Sequence, residues 1–108
     1  MTEPQHMAAV RKANRVRLAR VDLKRRIAAL SREEAFELLA GTFENPPEFC
    51  QGMTPFDLLM FVRRMGRRHA LTWIRKAGLS EARRIRELTE RQRMVLAAML
   101  REGERLAA

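Results

Sequence analysis

The chain has 108 residues, room for one domain around one modest core. Hydrophobic residues make up 46% and charged residues 32%, a balance that folds in water and excludes a disordered tail. Twenty-two Lys and Arg face 13 Asp and Glu, and the resulting +9 points to a polyanionic partner, nucleic acid before an anionic membrane.

The first element predicted is a long basic helix from about Met7 to Leu30. Its apolar seam is Ala9, Ala13, Val16, Leu23, Ile27 and Leu30, with Arg11, Arg15, Arg25 and Arg26 on other faces. Leu18 and Val21 fall off the seam, so this helix touches two neighbours or is partly exposed. A second helix opens on a capping box, Ser31 with Glu34, carries Ala35, Phe36, Leu38 and Leu39, and is expected to end at Gly41. Thr42 to Gly52, with Pro46 and Pro47, reads as a loop. A third helix has Thr54 as N-cap, Pro55 at its first position, and Met53 placed to staple Leu58; its buried stripe is Leu58, Leu59, Phe61, Val62 and Met65. Gly66 follows at once, and the pattern restarts as Ala70, Leu71, Trp73, Ile74 and Ala77 until Gly78. After a turn from Ser80 to Ile85, a capping box of Thr89 and Gln92 starts the last helix. Val95, Leu96, Met99 and Leu100 are its expected buried face and Gly103 its end. The fold expected is all-α, about five helices in one compact domain. Residues 1–52 supply the basic helix, an acidic helix and a loop, and residues 53–108 a helical module.

Charge is blocked along this order. Residues 1–30 hold eight cations and two acids, residues 31–62 one cation and six acids, and residues 63–93 eleven cations and three acids. Two basic contact surfaces follow, unless each block is merely a solvated helix face. Nineteen of the cations are Arg, whose planar fork matches pairs of phosphate oxygens.

Three constellations carry this chemistry. In Arg63-Arg64-Met65-Gly66-Arg67-Arg68-His69, two helices are expected to meet at a glycine of positive φ. A phosphate would approach its backbone and the open amides of the following helix. The plain alternative is a connector with solvated arginines. In Arg83-Arg84-Ile85-Arg86, Ile85 points inward and three guanidiniums fan outward, with Arg91 and Arg93 on the next helix. Glu81, Glu87 and Glu90 are too few to neutralise all five. The first helix, through Arg11 and Arg15, either extends this footprint or is a solvated packing helix; it lacks the aromatic anchors of a membrane-surface helix. Trp73 reads as core.

Cys50 stands alone, which excludes an internal disulfide and a thiolate metal site and suits a reducing cytoplasm. No run of 18 apolar residues exists, and Met1-Thr2-Glu3-Pro4-Gln5-His6 lacks the order of a signal peptide. Two His leave little for acid–base catalysis, so no enzyme, cofactor or metal is expected.

Residues 58–100 resemble the helix-two-turns-helix module of the actinobacterial integration host factor family. The likeness rests on the Leu58-Leu59 pair, Gly66, Arg83-Arg84-Ile85-Arg86 and Arg91-Gln92-Arg93. The long basic first helix extends it over roughly residues 8–101. The segment from Gly66 to Glu90 is also similar to the ribosomal small-subunit protein that shares this module. The chain departs from the family at Arg63, where the family has Pro, and at Glu87-Leu88-Thr89, where it has Gly-Leu-Gly. The resemblance implies a cytoplasmic, nucleoid-associated, architectural protein that binds double-stranded DNA with little sequence preference, bends or compacts it, and acts in phage integration or chromosome organisation; a monomer is expected. It places DNA contacts at Gly66, Arg67 and Arg68 and at Arg83, Arg84 and Arg86. Two other readings stay open: a structured-RNA-binding ribosomal-type protein, and a small phage or host regulator docking on a protein through acidic residues 31–62. Repair enzymes with this module carry a catalytic domain for which 108 residues leave no room.

Overall fold

The computed structural model describes residues 4–103; Met1 to Glu3, the start of the segment read for a signal peptide, and residues 104–108 lie outside them. The chain is all-α. Helix α1 spans Gln5–Ala29, α2 Arg32–Glu44, α3 Pro55–Leu59, α4 Arg67–Lys76 and α5 Glu90–Glu102, with 3-10 turns at Glu48–Cys50 and Ile85–Glu87.

The largest interface lies between α2 and α5. Ala35, Leu39, Ala40 and Phe43 of α2 and Leu96, Ala97 and Leu100 of α5 are buried there. Trp73 of α4 closes the core against Phe36 of α2, edge to face with ring centroids 5.3 Å apart. Leu58, Leu59, Val62, Met65, Ala70 and Ile74 complete it. Fully burying aliphatic and aromatic side chains of this size stabilises by about 1.5–3 kcal/mol each.

Local signals set the helix starts. Reciprocal capping boxes form at Ser31 and Glu34, Thr54 and Asp57, and Thr89 and Gln92. Gly78, at φ +73°, ends α4. The Leu79 amide donates to Ile74 O (3.0 Å) and the Gly78 amide to Arg75 O (2.9 Å), a Schellman closure.

Four expectations are corrected. The α1 seam is buried only at Leu23 and Ile27. Ala9 and Ala13 are exposed, and Met7, Val10 and Leu18 on the outer half are 42%, 51% and 57% exposed. This half meets the body only along one side, where Lys12, Arg15 and Val16 border Glu48 and Phe49, and the molecule measures 58 × 29 × 22 Å. Second, α2 does not stop at Gly41 but runs to Glu44, because Phe43 is fully buried and Pro46 supplies the stop. Third, α3 ends at Leu59, and residues 60–64 form turns that still bury Val62 and Met65. Fourth, Val95 is 44% exposed, since α5 turns Leu96, Ala97 and Leu100 inward.

The asymmetry of α1 has a measurable consequence. Ile27→Ala should destabilise by about 2–5 kcal/mol, whereas Val10→Ala should stay within about 0.5 kcal/mol. Urea unfolding of the two variants checks this; similar losses would mean that the outer half of α1 is packed.

Candidate nucleic-acid interface

The stretch around Gly66 differs from the hairpin expected. Residues 60–66 separate α3 from α4, so the two helices do not meet at once. Gly66 has φ −78° and ψ 155°, an ordinary extended N-cap, and a Cβ built there meets nothing within 4 Å. The left-handed position is Arg64, at φ +61°. That conformation costs a non-glycine residue roughly 1–2 kcal/mol. The Arg64 carbonyl accepts a hydrogen bond from Arg32 Nη2 of α2 (3.3 Å), which holds the turn to the body.

Arg63, Arg64, Gly66, Arg67 and Arg68 are all exposed, and His69 is half-buried with its ring tilted toward Trp73 at 6.5 Å. The first turn of α4 contains no acid and no side-chain cap. Arg67 lies over the Phe56 ring, 5.4 Å from its centroid, and its Nη2 is 3.8 Å from Glu81 Oε2. This pair sets residue 81, and the segment that follows it, beside the N-terminus of α4.

The second cluster is held by its backbone. Ile85 is buried, as its pattern required, and its amide donates to Met53 O (2.8 Å); the Arg86 amide donates to Gln51 O (3.1 Å). Glu87 accepts the Arg84 amide (3.1 Å), and Arg84 Nη1 donates to Gly52 O (2.7 Å). Arg83, Arg84, Arg86 and Arg91 are exposed. Glu81 pairs with Arg67 instead, so no carboxylate lies within ion-pair distance of these four among the described residues. Arg93 has a different task. Its Nη1 donates to Phe43 O (2.9 Å) and Glu44 O (3.0 Å), closing the C-terminus of α2.

Arg11 and Arg15 are exposed on the N-terminal half of α1. Arg15 borders a shallow groove with Lys12, Val16, Ala19, Glu48 and Phe49, and Lys12 Nζ is 3.6 Å from Glu48 Oε1.

Sequence reasoning missed Arg20 and Arg101. Arg20 Nε donates to Phe49 O (2.8 Å), joining α1 to the Pro-containing loop. Arg101 Nη1 and Nη2 grip the Glu44 carboxylate at 2.7 and 2.6 Å, and its Nε reaches Glu37 Oε1 at 3.1 Å. The Arg101 bonds hold the Glu44 carboxyl below its ordinary range. Burial pushes the Cys50 thiol up to about 11, with Arg20 pulling slightly the other way, so Cys50 is a small apolar core residue. Among the described residues no group of His, Cys, Asp and Glu is arranged to hold a metal ion, and no helix is long and apolar enough to cross a membrane.

No family model matches this chain, and none of the curated proteins or solved structures compared with it matches.

Two measurements separate structural from surface arginines. Arg93→Ala should cost about 1–3 kcal/mol, because two carbonyls lose their donor, while Arg91→Ala should leave stability within about 0.5 kcal/mol. A lowered carboxyl stabilises the fold above the unfolded pKa, and that contribution is lost as pH falls through the folded value. Acidification below the ordinary glutamate range should therefore lower the melting temperature of the parent more than that of Arg101→Gln. Parallel curves would remove Arg101 and Glu44 as the source.

Proposed function

We propose that this protein binds double-stranded DNA through the phosphate backbone with low sequence specificity, acting as a nucleoid-associated architectural protein that bends or compacts the duplex. One observation carries the reading: Arg15, Arg63, Arg64, Arg68, Arg83, Arg86 and Arg91 are exposed with no carboxylate partner among the described residues. Solvated guanidiniums on a rigid helical body displace the counterions condensed on a duplex, which drives association without base readout. Several of these arginines sit on turns and caps pinned by backbone hydrogen bonds, so little side-chain and loop ordering opposes binding. The resemblance to the actinobacterial integration host factor family supports the same partner through Arg83, Arg84 and Arg86, and the DNA role assigned to the residues at Gly66 is kept as part of this proposal.

Five of the six acids of residues 31–62 already have partners within the chain, which weighs against a docking surface for a protein there. Glu34 and Asp57 are bound in capping boxes, Glu37 and Glu44 face Arg101, and Glu48 faces Lys12. Structured RNA offers the same phosphates, and direct competition with duplex DNA separates the two.

The test is a salt titration of duplex binding. The parent should show a steep linear fall of log affinity with log salt, and the Arg83, Arg84, Arg86 triple-Ala variant a slope shallower by about two to three units. No binding by the parent in dilute buffer overturns the function. An unchanged slope in the variant removes this cluster from the interface.

A further inference from the structure

The two basic segments of the chain converge on one residue, Gly52. Arg20 arrives from α1 and Arg84 from the turn before Ile85. Each guanidinium is already tethered: Arg20 Nε donates to Phe49 O (2.8 Å) and Arg84 Nη1 to Gly52 O (2.7 Å). Arg20 Nη2 stands 3.1 Å, and Arg84 Nη1 3.9 Å, from the position of a Cβ on Gly52. The two nitrogens are therefore no further apart than those distances combined. Apart from the neighbours of Gly52 in the chain, no other heavy atom comes within 4 Å of that position. Among the described residues, the face of Gly52 that a Cβ would occupy is thus bordered by two guanidiniums alone.

Neither cation has a carboxylate within ion-pair distance among the described residues. Glu48 faces Lys12, Glu87 accepts only the Arg84 amide, and Cys50 beneath the loop is buried and protonated. Two like charges held this close raise each other's free energy, and an anion between them removes that cost. Each guanidinium keeps further N–H donors beyond its tether, in the planar fork that fits phosphate oxygens.

We propose that Arg20 and Arg84 form a preformed seat for one phosphate group over Gly52, the phosphodiester of a bound duplex. The phosphodiester assignment rests on the DNA-binding reading above; the seat itself does not. Its consequence is that α1 and the Arg83–Arg86 turn contact one duplex together, rather than forming two independent basic surfaces.

Gly52→Glu and Gly52→Gln test it. The only atoms a new Cβ displaces are the ends of flexible arginine side chains, so both variants should fold. In chloride buffer, inorganic phosphate at matched ionic strength should raise the melting temperature of the parent saturably. Gly52→Glu places a carboxylate in the seat, so it should melt above Gly52→Gln in chloride, and both should lose the phosphate response. In duplex titrations, Gly52→Gln should lower the salt slope by about 0.9, the value of one phosphate. A parent that ignores phosphate, or a Gly52→Glu variant that responds as the parent does, overturns the seat. Duplex binding with an unchanged slope in Gly52→Gln overturns the phosphodiester assignment while the DNA reading stands. A phosphate response lost in both variants, with no duplex binding by the parent, keeps the seat for free phosphate and overturns the DNA reading alone.

Discussion

The fold depends on how the C-terminal end of α2 is closed. The last carbonyls of a helix have no partners within it. Here Arg93 takes those of Phe43 and Glu44, while Arg101 grips the Glu44 carboxylate, both from α5. With that end held, α2 passes through Gly41, buries Phe43 and halts only where Pro46 removes an amide donor. The loop after it therefore leaves from a fixed point. Its carbonyls at Phe49, Gln51, Gly52 and Met53 then meet Arg20, the Arg86 amide, Arg84 and the Ile85 amide. An α2 that ended three residues earlier would leave Phe43 unburied and the loop without its anchor.

A chain of +9 has to sort its cations, and beyond those paired with carboxylates, such as Lys12, Arg67 and Arg101, the structure shows two fates for them. Arg20, Arg32, Arg84 and Arg93 donate to backbone carbonyls at turns and helix ends. There a fork of N–H donors satisfies acceptors that local structure leaves open. Arg63, Arg68, Arg83, Arg86 and Arg91 stay in solvent. The first group costs little electrostatically, because carbonyl dipoles stabilise it. The second adds to the self-repulsion of the molecule and is relieved by an external polyanion. Arg84 belongs to both groups, since it is exposed and tethered at once, which is the property a contact residue needs.

The legible parts of this structure were the local ones. Capping boxes span three residues, and Gly78 and Gly103 carry the positive φ that their positions after a helix suggested. Ile85, an apolar residue between Arg84 and Arg86, and Trp73, on the apolar stripe of its helix, read correctly as core. The misread positions were set from far away. Gly41 looked like a cap until Arg93, about fifty residues on, closed the helix beyond it. Gly66 looked like the tight turn, but Arg64 takes that conformation and is held by Arg32 from α2. A carbonyl acceptor has no signature in sequence, so the tasks of Arg20, Arg93 and Arg101 were invisible there. Among the candidate residues, the inward Ile85 and the outward Arg83, Arg84 and Arg86 were legible, and the approach of Arg20 to the same loop was not.

That approach decides the geometry available to the proposed complex. Helix α1 has 25 residues, so at 1.5 Å per residue it is about 37 Å long, close to one turn of B-form DNA. Its inner half is fixed to the body by Leu23, Ile27 and Arg20, and its outer half is largely exposed, meeting the body where Lys12 and Arg15 border Glu48 and Phe49. In the proposed complex the cations of this helix, Arg11 to Arg26, would span about 22 Å of a duplex, with the second basic segment joined to them at Gly52. A straight duplex meets the two segments together only if their surfaces are in line. Where they are not, phosphate contacts on both favour a bent one, and the deformation selects flexible sequences without any base contact. An architectural role thus requires no recognition helix: a stiff arm, a fixed second set of guanidiniums and an angle between them are sufficient.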